Sequence, residues 1–247
     1  MMYEDYMIPI SIEPYRIISR DEDDTRQLLV NKEPTKCPFC HRKIAPKYLG
    51  TFDREICGEK IKTQQIQVIC ICPLNDCREL FIANYLVKED DDVAKEVYIE
   101  LQSVSPYIPS IRKFETVIQK FSPEFVDIYN QSYKAEQLQL SSISGMGYRK
   151  ALEFLIKDYL IKQVKVQNVD EIKKMLIGKC IDQYIQNDNI KQIAKRAIWL
   201  GNDETHYERR WIDKDINDLK QLIDITIYWI TMTEKTKEIL QSMPNGK

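Results

Sequence analysis

The chain has 247 residues, 43% of them hydrophobic and 30% charged, with a formal net charge of −2. That length exceeds one ordinary domain, and the composition is that of a globular protein, which excludes a low-complexity or disordered chain. The near-zero balance supplies no global field toward DNA or anionic lipid, and no run approaches the roughly 18 apolar residues of a membrane span. The start, Met1-Met2-Tyr3-Glu4-Asp5, is acidic and lacks the basic, apolar pattern of a secretory signal, so a cytoplasmic location with no membrane partner is expected.

In chain order, Met7-Ile8-Pro9-Ile10-Ser11-Ile12 reads as an edge strand, and Arg20-Asp21-Glu22-Asp23-Asp24 as a solvated turn. From Cys37 to about residue 104 the signals favour strands. Gln65–Cys70 alternates, Leu80–Val87 is a β-rich run, and Val97–Leu101 alternates again, with Glu89-Asp90-Asp91-Asp92 as the break between the last two. Ser105-Pro106-Tyr107-Ile108-Pro109 reads as a linker, after which the period changes. Ile111, Phe114, Val117, Ile118 and Phe121 recur at helical spacing, and Ser122-Pro123-Glu124 is a helix start with a capping hydroxyl, that helix running to about Leu140. Gly145-Met146-Gly147 precedes an amphipathic helix carrying Leu152, Leu155, Ile156, Tyr159 and Leu160. Further helices are expected over 169–186 and 189–200, and a final long one from about Asp213 with Ile216, Leu219, Ile223, Ile227 and Ile230. The expected fold class is α+β: a β-rich, zinc-ribbon-like module over 1–104, then an all-α bundle over 110–247.

The first half carries one fairly specific chemical pattern. Five of the seven cysteines form two runs, Cys37-Pro38-Phe39-Cys40 and Cys70-Ile71-Cys72-Pro73-Leu74-Asn75-Asp76-Cys77, across an intervening hairpin. A CPxC turn aims two thiolates at one point, and four such ligands make a closed tetrahedral site for structural zinc. The expected ligands are Cys37, Cys40, Cys72 and Cys77. Cys70, on the same strand face as Cys72, is an alternative to it, and His41 or Cys57 is an unusual fourth ligand. Four thiolates leave no open position for a reacting water.

The second half carries a weaker constellation. Residues 141–200 hold 11 Lys/Arg against 6 Asp/Glu, a balance of 11 − 6 = +5, which suffices for a basic face. His206 follows Leu200-Gly201-Asn202-Asp203-Glu204-Thr205, with Gly201 read as a helix stop and Asn202, Asp203 and Thr205 as turn or capping residues. On that reading His206 is a packing residue in a corner. Arg149 and Glu153, four apart, share a helix face, either as a plain ion pair or as a pair that holds Arg149 toward the Asn202–His206 turn. Cys180 sits in an apolar helical run and reads as core. There is no GxxxxGK[ST] loop, no GxGxxG after a strand, no HExxH and no GxSxG.

The order CPxC, then Gly147-Tyr148-Arg149-Lys150-Ala151-Leu152-Glu153, then Leu200-Gly201-Asn202…His206 and a long apolar helix, resembles the bacterial domain-of-unknown-function family 4145. The resemblance covers about 120–235 plus the CPxC. That family looks like a relative of the HEPN helical bundles, many of them ribonucleases of bacterial defence and toxin systems. The resemblance implies a HEPN-like bundle, homodimerisation through it, and association with RNA, DNA or a protein partner of a defence system. Trp199, Tyr207 and Trp211 are then candidates for the contact surface. In catalytic members it implies an arginine, often followed by Asn, four to six residues before a histidine. Here Asn202 and His206 match while Gly201 stands at the arginine's place. The expected function is therefore a non-catalytic interaction or nucleic-acid-associated module with structural zinc. The alternative is a metal-independent ribonuclease using His206 and Asn202 with an arginine relocated to Arg196, Arg149, Arg209 or Arg210.

Overall fold

The computed structural model describes residues 8–9, 29–30, 32–57, 62–89, 97–163, 169–204 and 206–243. The chain divides into two compact units, Met1–Ile108 and Pro109–Lys247, giving a mixed α+β protein with its sheet first and its helices second. No helix among the described residues is long and apolar enough to cross a membrane. The expected charged turn at 20–24 and the Asp90–Asp92 break lie outside the described residues.

The first unit is built on four long strands in an antiparallel meander: β3 (Lys47–Cys57), β4 (Lys62–Ile71), β5 (Leu80–Glu89) and β6 (Val97–Ser105). Two short strands extend the β6 edge, β2 (Leu29–Val30) pairing parallel with β6 and β1 (Ile8–Pro9) antiparallel with β2. Of the expected edge strand at 7–12, only Ile8–Pro9 is described as strand. The period-2 alternation of β4 has a direct structural consequence. Ile66, Val68 and Cys70 point inward opposite Tyr85, Ala83 and Phe81, so the core is a double row of cross-strand pairs. On the other face, Gln67 donates to Asn84 Oδ1 at 2.9 Å, and Asn84 donates to the Ser103 and Ser105 hydroxyls, both at 3.2 Å. Strand β3, with Gly50 and four charged residues, has no clean alternation of its own; pairing with β4 decides it.

The second unit is helical: α1 (Thr116–Phe121), α2 (Pro123–Gln137), α3 (Ser141–Gln163), α4 (Val169–Lys174), α5 (Ile177–Tyr184), α6 (Asp188–Asp203) and α7 (Ile216–Ser242). Helix α3 packs against α2, α4, α5, α6 and α7. Its Tyr148, Ala151, Leu152, Leu155, Ile156 and Leu160 are all essentially solvent-free, as a helix covered on several sides requires. Cys180 is core as expected, its sulfur 3.9 Å from the carbonyls of Ile172 and Met175.

Several expectations are corrected here. The repeat at 111–121 becomes helix only from Thr116, and Ile111 is 59% exposed. Side chains of α2 hold the preceding segment: Gln137 accepts from the Ser110 amide at 2.9 Å and Asn130 from the Arg112 amide at 2.7 Å. Helix α2 has Pro123 at its first position as expected, but the buried Ser122 hydroxyl donates to Asp158 on α3 and makes no cap. The helix ends at Gln137, before Leu140, and Gln139 takes a left-handed φ of 61°. Helix α3 starts at Ser141 and carries both Gly145 and Gly147 inside it. The helix expected over 169–186 is two helices, α4 and α5. Helix α6 continues through Gly201, so that glycine is no stop.

Candidate metal centre

Two knuckles at one end of the sheet bring four sulfurs together. In the first, the Cys37 amide donates to the Arg42 carbonyl at 3.1 Å and the His41 amide to the Cys37 carbonyl at 3.0 Å, with His41 at φ 57°. In the second, the Cys72 amide donates to the Glu79 carbonyl at 3.0 Å, and the Cys77 and Arg78 amides both reach the Leu74 carbonyl at 3.0 Å, with Arg78 at φ 55°. Each knuckle is thus a Cys-Pro start closed by a left-handed residue just after its second cysteine. The two extra residues between Cys72 and Cys77 lengthen the second loop without altering this plan.

The result is a group of four thiols, Cys37, Cys40, Cys72 and Cys77, whose sulfurs all lie within 4.8 Å of one another and can hold a metal ion. Cys37 Sγ stands 3.7 Å from Cys77 Sγ, and Cys40 Sγ 3.9 Å from Cys72 Sγ. Burial pushes the Cys37 thiol up to about 12 and raises Cys72 as well. Cys40 goes the other way, to about 6, because the Arg42 amide and then its guanidinium donate to the thiolate. One ligand is therefore predisposed to the thiolate form, and the buried ones need a cation to take it. Arg42 also reaches across to Asp76 of the second knuckle at 2.5 Å, and that arginine holds the Asp76 carboxyl low. Opposite charges 34 positions apart gave no sequence signal for this clasp.

The alternative ligands fall away. Cys70 points into the sheet core with its sulfur 3.6 Å from the Val68 carbonyl, and burial raises it to about 12. Strand β4 stops at Ile71, so Cys72 leaves the pleat that would have kept the two sulfurs together. His41 is not among the grouped ligands, and Cys57 stands opposite Lys62, at the far end of the hairpin from Lys47.

The helical unit brings together only part of the second constellation. Arg149 donates from Nε to Asn202 Oδ1 at 2.5 Å and from Nη1 to Glu153 Oε2 at 3.0 Å. Burial alone would raise the Glu153 carboxyl, yet Lys157 at 2.7 Å and Arg149 outweigh it and hold it below its usual range. A Cβ at Gly201 would sit 2.6 Å from Arg149 Cβ and 2.8 Å from its Cγ, so the stem of Arg149 fills the place next to that glycine. His206 is exposed, which rules out the packing role, and faces a cavity of about 480 Å³ lined also by Trp199, Asn202, Asp203, Arg210 and Trp211. Arg196 is not brought to it; its guanidinium donates to the Gln192 carbonyl and side chain at 3.0 and 2.8 Å. Arg209 pairs with Glu204 at 2.7 Å. Asp203, expected as a turn or capping residue, is the buried last residue of α6 and caps no helix: its carboxylate accepts the amides of Arg210 and Trp211 in the following loop at 2.8–2.9 Å, which holds it below the usual carboxylate range. Thr205 lies outside the described residues.

Comparison of the chain with protein-family models, with curated proteins and with solved structures found no match to any of the three.

Proposed function

We propose that the four thiols hold one structural zinc ion and that the chain is a non-catalytic interaction module of the kind its sequence resembles, associated with nucleic acid or a protein in a bacterial defence-type system. The observation that carries the zinc reading is the sulfur spacing. A tetrahedron with zinc–sulfur bonds of about 2.3 Å has edges of about 3.8 Å; two of the six sulfur pairs stand at 3.7 and 3.9 Å and all lie within 4.8 Å. A closed four-thiolate set gives such an ion folding work and no coordination site for a substrate. The test is metal analysis of the purified chain beside its Cys37→Ser and Cys77→Ser variants. About one zinc per chain, lost in both variants, is expected; retention in both, or iron with a coloured thiolate spectrum, would reject the assignment.

The interaction reading rests on the Asn202–His206 corner. Cleaving RNA without a metal needs a base or acid at the 2′-hydroxyl and a cation on the developing phosphorane charge. Arg149, the cation nearest the expected position, has its guanidinium engaged by Glu153 and Asn202. One observation favours the second reading, the ribonuclease: Arg149 lies over Gly201 and reaches Asn202, delivering an arginine to the turn from a neighbouring helix. Incubating labelled single-stranded RNA with the chain in chelator, beside His206→Ala and Arg149→Lys, separates the two. Intact RNA supports the interaction module; cleavage abolished by both variants would replace it with the ribonuclease.

A further inference from the structure

Beside the His206 cavity lies a second concavity that the zinc and the Asn202–His206 corner leave unused. It is a groove of about 300 Å³ between α6 and α7, floored by Leu200, Leu222 and Ile225 and walled by Trp199 and Trp211. The same two indoles border the His206 cavity, so they form a ridge between two basins. Both are nearly half exposed, Trp199 at 47% and Trp211 at 44%, although indoles bury readily where a core will take them. Trp199 is fixed on α6, and Trp211 is held out by its own backbone, since its amide is tied to the Asp203 carboxylate at 2.9 Å. This ridge is therefore positioned by the fold. Exposed tryptophans beside arginines over an aliphatic floor are the composition of an interface hot spot.

The charges around the groove select the occupant. Arg196 and Lys214 stand on its rim, and Arg210 lies just across the ridge. The acidic groups facing them are Asp218, which pairs with Lys214 at 3.5 Å, and Asp203, whose carboxylate is taken up by two backbone amides and stands near Arg209. A second copy docking by this face would bring more cations than free carboxylates to the contact, since Asp218 is already paired with Lys214 and Asp203 with backbone amides. The aliphatic floor between the two indoles suits alkyl and phenyl side chains. Resting on the reading of the chain as an interaction module, we propose that the α6–α7 groove docks an acidic amphipathic helix of a partner protein. Its apolar stripe lies between Trp199 and Trp211, and its carboxylates meet Arg196, Lys214 and Arg210. This takes the two tryptophans away from the homodimer contact that the family resemblance implies.

The test uses the full chain and a display library of random peptides about 16 residues long, roughly four helical turns. Peptides are selected on the wild type and counter-selected on a Trp199→Ala/Trp211→Ala chain, whose zinc content and circular dichroism are checked against the wild type. The selected peptides are expected to be net acidic with apolar residues at i, i+3 or i+4 and i+7. Their affinity is expected to fall about tenfold or more in Arg196→Glu and to weaken with salt. Selection of basic peptides, or of none that the double variant discriminates, overturns the proposal. So does a single-stranded oligonucleotide that quenches these tryptophans while the peptides do not, or a wild-type dimer that the double variant converts to monomer. Because the RNA assay reads His206 and Arg149, and neither lines the groove, a ribonuclease result there and a failed selection here are separate outcomes.

Discussion

The two units of this protein solve the problem of burying enough surface in different ways. Among the described residues, the helical unit has a cluster of 26 buried apolar side chains, rich in Ile, Leu and aromatic rings. The sheet unit has 11, and three of those are cysteines. Edge-to-face pairs such as Phe114–Tyr129 and Tyr129–Tyr148, at 5.1 and 4.8 Å, tie α2 to α3 and the segment before them. Among the described residues, the second face of the sheet presents Phe52, Leu80 and Ile82 to solvent. The four thiols belong to the unit with the smaller buried cluster, where a bound metal would add what a sparse core lacks.

Breaking the metal site should separate the units most sharply. With Cys37→Ser, or with strong chelator, amides of β4 and β5 should lose hydrogen-exchange protection while those of α3 keep theirs; structural zinc binding is worth on the order of 10 kcal/mol. Equal loss in both units would show that the helices lean on the metal too. The pH dependence has a defined sign. Burial raises Cys37 to about 12, so the metal must displace its proton. Protons compete better as pH falls, and metal content should hold at neutral and alkaline pH and be lost in acid.

The next largest effect is expected in the other unit. Gly201→Ala puts a methyl 2.6 Å from the Arg149 Cβ, near its backbone and not at a flexible tip, so α6 must move away from α3. The expected cost is about 1–3 kcal/mol in denaturant unfolding of the helical unit, with zinc content unchanged. Ser122→Ala should cost about 1–2 kcal/mol, because it removes a fully buried hydroxyl that donates to Asp158. Asp215→Ala should cost about 1 kcal/mol, since it deletes the capping box in which Asp215 accepts the Asn217 and Asp218 amides while Asp218 accepts that of Asp215. If any of these three helical variants released zinc, the independence of the two units would fail.

The parts of the architecture that were legible in the sequence are those set by neighbours along the chain. Alternation in Gln65–Cys70 placed Ile66, Val68 and Cys70 on one face, the CPxC turn marked the first knuckle, and the cysteine cluster at 70–77 marked the second. The stripe from Ile216 to Ile230 marked α7, whose Leu219, Ile223 and Ile230 are core. Four of the expected ligands stand together because a short turn aims its own thiols.

Other features depended on partners distant in sequence. Whether Cys70 or Cys72 joined the cluster turned on β4 ending at Ile71, one residue before the ligand. Gly147 and Gly201 read as punctuation, yet both lie inside helices, where Ser132 and Arg149 occupy the space a Cβ would need. Ser122 had the pattern of a cap and gave its hydroxyl to a helix 36 positions away. Composition, spacing and period thus determined which elements form and which thiols could meet. Only the tertiary structure decided which glycines are contacts, which hydroxyl caps nothing and which tryptophans stay in solvent. The physical reason is range: propensity and pleat act within a few residues, whereas close approach and burial depend on surfaces the chain brings together only when folded.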